Sequence, residues 1–138
     1  MNYLILFLSL LFIGLSTKTN TLTIDISNIE SLTGTIEIGL YNNGEHFLEE
    51  GKTFKLISIK VDANQKTVVI KDLPQGEYAI SMYHDVNADG ECNLNFLGIP
   101  TEPYAFSNNF RPRFSAPTFS DCKFNLNSNE ILKIKMGK

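Results

Sequence analysis

Between Thr35 and Tyr41 the chain alternates without a break, with Ile36, Ile38 and Leu40 on one face and Thr35, Glu37 and Gly39 on the other. A period of two, rich in β-branched residues, fits a strand half buried against a core and does not fit an amphipathic helix. The same period recurs in Leu22, Ile24 and Ile26, and in Val68 and Ile70 set against Thr67, Val69 and Lys71. It returns in Tyr78, Ile80, Met82 and His84 set against Ala79, Ser81 and Tyr83. Phe54 to Val61 reads as one more strand, and Glu45 to Thr53 as a single helical turn or a loop ended by Gly51. Turn chemistry separates these runs: Asn28 to Gly34, Asn42-Asn43-Gly44, Asp62 to Gln65, and Asp72 to Gly76. In the last of these Pro74 presets φ and Gly76 permits a positive one, so the chain reverses directly into the next strand. Phe119 to Leu126 and Glu130 to Met136 read as a final hairpin around Asn127-Ser128-Asn129. The expected fold is all-β: an antiparallel β-sandwich, Ig-like or prealbumin-like, of about seven strands, with Tyr78 at a sandwich corner.

Regular patterning stops after Asp85 and resumes only near Phe119, across a stretch holding Pro100, Pro103, Pro112 and Pro117. Unpatterned segments of this length are functional or disordered. Tyr104, Phe106, Phe110, Phe114 and Phe119 argue for order, because so many aromatic rings are costly to leave in water. The expectation is one long ordered loop folded over an end of the sandwich.

The N-terminus reads as a targeting segment. Tyr3 to Leu15 is apolar and uncharged, shorter than the ~20 residues of a spanning helix and suited to the core of a secretory signal. Gly14 and Ser16 are small residues at minus three and minus one for cleavage after Ser16. Residues 1–16 are therefore expected to be a signal peptide and residues 17–138 one β-sandwich domain, secreted or periplasmic. Met1-Asn2-Tyr3 carries no Lys or Arg, which leaves an uncleaved anchor or a buried N-terminal strand as alternatives. No cysteine lies near the cleavage region, so a lipoprotein is not expected. The mature chain has no membrane span and should be a monomer. Its net charge of −3 with scattered basic residues excludes a nucleic-acid footprint.

Where the patterning stops, the residue types suit a hard metal ion. Calcium takes six to eight oxygen ligands, supplied in an EF-hand loop from positions 1, 3, 5, 7 and 9 with glycine at 6. Counting Asp85 as position 1 puts Asn87 at 3, Asp89 at 5, Gly90 at 6, Glu91 at 7 and Asn93 at 9. Position 12, which should be Glu, is Phe96, and the flanks are not helical. The expectation is a calcium loop on a β scaffold with a missing carboxylate, for which Glu102 and Asp121 are the candidates. Asp, Asn and Gly also favour metal-free turns. The two cysteines, Cys92 and Cys122, suit a disulfide in an exported chain; closing a loop of about 30 residues would contribute roughly 3–4 kcal/mol. Two buried thiols are the alternative.

Two further constellations are candidates for function. His84 and Asp85 adjoin the loop and could serve a hydrolase, although no Gly-x-Ser-x-Gly or His-Glu-x-x-His accompanies them. Tyr104, Phe106, Asn108, Asn109 and Arg111 combine rings, amides and a guanidinium. They could bind a small molecule, glycan or peptide, or instead satisfy the loop's own backbone.

Several stretches together resemble the bacterial DUF2141 family. They are Leu73-Pro74-x-Gly76-x-Tyr78-Ala79-Ile80, Tyr83-His84-Asp85-x-Asn87-x-Asp89-Gly90 and Asn95-Phe96-Leu97-Gly98-Ile99-Pro100. Glu102, Tyr104-Ala105-Phe106-Ser107-Asn108-Asn109 and Pro117-x-Phe119-x-Asp121 extend the match. The resemblance implies a small exported bacterial domain of undefined function, so it brings no catalytic residues. Cys92, Cys122, Asn93, Phe110 and Pro112 depart from the family's pattern, which suggests that the two cysteines arose together and weakens the calcium reading. The combined expectation is a non-enzymatic binding or cell-envelope module whose calcium loop anchors the aromatic loop.

Overall fold

The computed structural model describes Gly14 and residues 16–138. The expected signal segment therefore lies outside the described residues except at Gly14 and Ser16. The elements are β1 (Thr19–Ser27), β2 (Thr35–Tyr41), β3 (Lys55–Lys60), β4 (Lys66–Pro74), β5 (Gly76–Asp85), β6 (Tyr104–Phe106), a four-residue helix α1 (Phe119–Cys122), β7 (Phe124–Leu126) and β8 (Glu130–Lys135). They form two sheets, one in the order β4-β1-β8 and one in the order β3-β2-β5-β6, with β7 also paired to β5.

The alternation seen in the sequence decides which side chains face inward. Leu22, Ile24 and Ile26 of β1, Ile36, Ile38 and Leu40 of β2, and Ile80 and Met82 of β5 are all fully buried or nearly so. With Val68, Ile70, Leu73, Tyr78, Leu126, Ile134 and Met136 they form one core between the sheets. Each such aliphatic side chain contributes about 1.5–3 kcal/mol relative to exposure. Tyr78 sits at the expected corner, its hydroxyl donating to the Pro74 carbonyl at 2.8 Å.

Two expectations are corrected. The last two strands are not a hairpin: β7 pairs antiparallel with β5, whereas β8 lies against β1 and runs parallel to it. Asn127 to Asn129 carry the chain from one sheet to the other, and the Asn129 carboxamide accepts from the Thr21 amide on the way. Both faces of a local alternation look alike in sequence, so the pattern could place these strands but not choose their partners. Phe119–Cys122, expected within the first of those strands, forms α1, and the segment before Gly51 takes the turn form of its two readings.

A second apolar cluster lies on the outer face of the larger sheet. Ala79, Phe106 and Cys122 are buried there, packed against Phe47, Leu48, Tyr104, Phe110 and Phe119. The long loop thus covers a sheet face, not an end of the sandwich. Tyr41 meets Phe47 edge-on at 5.1 Å between centroids, and Phe47 meets Phe119 at 5.9 Å. α1 begins with a capping box, in which Thr118 and Asp121 satisfy each other's backbone amides.

Candidate functional site

β5 ends on His84 and Asp85, whose side chains leave on opposite faces because side chains alternate along a strand. His84 follows Ile80 and Met82 inward and is fully buried. Its Nε2 lies 2.6 Å from the Thr33 carbonyl, and its buried Nδ1 has no partner among the described residues. Asp85 turns the other way, and its carboxylate accepts from the Asp89 and Gly90 amides at 3.2 and 2.8 Å. This geometry gives the pair neither a solvent-facing base nor a common point of attack.

From Asp85 the chain makes a tight acidic turn. The Asn87, Asp89 and Asn93 side chains converge: both carboxamides donate to the outer Asp89 oxygen at 2.9 Å, and Asn87 also donates to Asn93 at 3.1 Å. Donation from Asn93, then from the Glu91 amide, holds the Asp89 carboxyl below the ordinary carboxylate range. The predicted positions 1, 3, 5 and 9 are thus brought together. Of the two proposed distant carboxylates, Glu102 is beside the loop, accepting from the Val86 amide at 2.9 Å. Asp121 is not, being committed to the cap of α1. Among the described residues no group of three or more His, Cys, Asp or Glu side chains is gathered for a metal.

Beyond Asn93 the two legs of the loop pair with each other. The Thr101 amide donates to the Asn93 carbonyl at 2.8 Å, and Leu94 bridges Pro100. Asn95 then builds the turn: its carbonyl accepts from Gly98, and its side chain accepts from the amides of Leu97 and Ile99 at 2.9 and 3.0 Å. The result is a closed, hydrogen-bonded tip that turns its apolar side chains outward. Phe96 is 95% exposed, Leu97 67%, Leu94 58% and Ile99 49%. From Asp85 to Glu102 the loop carries four acids and no Lys or Arg.

The residues expected to meet a ligand hold the loop in place. Phe106 is buried and Tyr104 packs beside it. Asn108 donates to the Lys123 carbonyl at 2.9 Å. The Asn109 carboxamide donates to Lys133 O and accepts from Lys135 N, so it pairs with the outer edge of β8 as a peptide unit would. Arg111 donates to the carbonyls of Tyr104 and Lys135. Its pairing is with backbone, not with an acid. Tyr104 and Gly137 form a bridge on the same edge, so the margin of the smaller sheet is closed toward β6 and protected from pairing with another chain. Ser107, which the residue patterns did not single out, is completely buried, with its hydroxyl bonded to Ile80 N and to the Cys122 carbonyl.

Cys92 and Cys122 are separate thiols in this structure, the first exposed and the second buried; the expected bond between them is not formed here. Burial, and after it the Asp121 charge, pushes the Cys122 thiol up to about 12. Burial, followed by the charge of Glu37, likewise pushes Tyr83 up to about 12. Both groups are favoured neutral in the folded state, so their contribution is complete below pH ~9 and declines as pH rises toward ~12. Alkaline titration of the melting temperature should show a decline across that window. In Cys122→Ala the decline should be shallower; an unchanged slope would remove the thiol from the account.

Two packed sheets carry a hydrogen-bonded apolar tip on an acidic loop, and no helix among the described residues is long and apolar enough to cross a membrane. The chain belongs to the DUF2141 family, described as uncharacterized protein conserved in bacteria, whose model matches residues 24–134. No curated protein and no solved structure matches it.

Proposed function

We propose that the protein is an exported, non-enzymatic binding module of the cell envelope whose contact element is the tip formed by Leu94, Phe96, Leu97 and Ile99. The observation that carries this reading is the near-complete exposure of Phe96 on a loop closed by its own hydrogen bonds. Exposed apolar side chains that cluster on a rigid support mark interaction sites. Rigidity matters because a contact element already fixed in shape loses little conformational entropy on binding. The burial of His84 and the commitment of Asp85 to backbone amides argue against the hydrolase alternative. The amides and guanidinium of residues 108–111 are engaged with β8 and its neighbours, which moves the expected contact from the aromatic loop to the tip.

The test is site-specific photocrosslinking of the full chain in bacterial cells, with the photoreactive residue at position 96 or at exposed Val69 as control. A discrete adduct from position 96, absent at 69 and lost in Leu97→Ser, is expected. Equal labelling from both positions would overturn the reading. Phe96→Ser should itself change stability by no more than ~0.5 kcal/mol, because the ring makes little contact with the fold.

A further inference from the structure

We propose that Glu102 completes a calcium site with Asp85 at the base of the acidic loop, toward which Asn87, Asp89 and Asn93 turn their side-chain oxygens when the ion binds. Glu102 is only 7% exposed, and one of its carboxylate oxygens is buried without a hydrogen-bond partner among the described residues. The other accepts from Val86, the residue that follows Asp85, so this carboxylate sits at the mouth of the turn. Asp85 is 3% exposed. Among the described residues the ion pairs are His46–Glu49, Lys66–Asp62 and Lys123–Glu77, and neither buried acid belongs to one. Buried carboxylates are ordinarily paired with a cation or coordinate a metal. The acidic segment contains no Lys or Arg to meet that need.

The donor chemistry selects the ion. Carboxylate and carboxamide oxygens are hard ligands, and calcium tolerates their mixed, irregular placement better than magnesium does. Asn87 and Asn93 now point N–H groups at Asp89; turning each amide over presents its oxygen instead. With few carboxylates the affinity should be that of an extracellular module, Kd ~10⁻⁴–10⁻³ M.

Position gives the site its role. Asp85 opens the loop and Glu102 closes it just after the tip, so an ion held by both clamps the two legs that carry Phe96. This consequence rests on the binding reading above, whereas ion binding itself does not. Calorimetric titration of the full chain with calcium chloride tests the site directly. Wild type and Phe96→Ser should bind alike, with a raised melting temperature and slower amide exchange at Gly98 and Ile99. Glu102→Gln keeps an acceptor for Val86 and should fold, yet bind about tenfold or more weakly. Absence of heat and of any melting shift up to ~20 mM calcium, far above the expected Kd, would overturn the site. So would undiminished binding by Glu102→Gln, or an equal shift with magnesium. Calcium binding alongside equal adducts from positions 96 and 69 overturns the tip alone, whereas a selective adduct from position 96 without calcium binding overturns the site alone.

Discussion

Gly34→Ala is expected to destabilise the protein by ~3 kcal/mol or more. Gly34 has φ +73, and a Cβ there would lie 1.9 Å from the Asp85 carbonyl oxygen and 2.9 Å from its carbon. Both neighbours are backbone, so relief requires β2 and the end of β5 to separate where Thr35 pairs with Asp85. Thr33, one residue earlier, accepts from His84, and the same shift would strain that contact. The acidic loop hangs from Asp85, so its order should suffer with the fold. Gly51→Ala is the matched control: its φ is also +73, but no atom lies within 4 Å of the added carbon. That variant should lose only the ~1–2 kcal/mol of the left-handed conformation. Urea unfolding with an unchanged m-value reads the difference, and equal losses in the two variants would refute the close approach.

Ser107→Ala should cost about 2–4 kcal/mol, unusual for deletion of one hydroxyl. The Oγ accepts from Ile80 N at 2.9 Å and donates to the Cys122 carbonyl. It is the polar link between β5 and the helix that brings Phe119 over the sheet. Its removal leaves a buried N–H and a buried C=O without that partner. The cover over Ala79 should loosen locally before the main core does. Labelling of the Cys122 thiol should therefore quicken well beyond what the loss of global stability explains. A variant that loses stability while Cys122 stays as protected as in the wild type would show that the hydroxyl does not hold the cover. Under mild conditions the core alternation of β1 and β2 should be unaffected.

How much of this was legible in the sequence follows from which interactions are local. Alternation at Ile36, Ile38 and Leu40, and at Tyr78, Ile80 and Met82, depends only on strand geometry, so it yielded five strands and the residues of the core. The Asp85 turn was readable for the same reason: its carboxylate, amides and glycine interact within a few residues of one another. Asn95 and Gly98 around Phe96-Leu97 also carried a signal that could have been used. Apolar residues at the two corners of a tight turn point away from the chain, and here they are the exposed tip.

Tertiary structure alone decided the rest. β8 lies parallel to β1 because a long excursion returns the chain in that direction, and no spacing within Glu130 to Lys135 records it. Asn109 and Arg111 look equally suited to a ligand or to a strand edge until β8 stands beside them. Ser107 is an ordinary serine until Ile80 and Cys122 close around it. Glu102 and Asp121 were equivalent candidates in the sequence; folding seats one at the loop and the other on a helix cap. The strands, their inward faces and the local turn follow from steric and hydrogen-bonding preferences over a few residues, which any stretch of the chain carries within itself. Which groups meet across the chain was decided only by how the sheets close, because those contacts join residues separated by long stretches whose paths no local preference fixes.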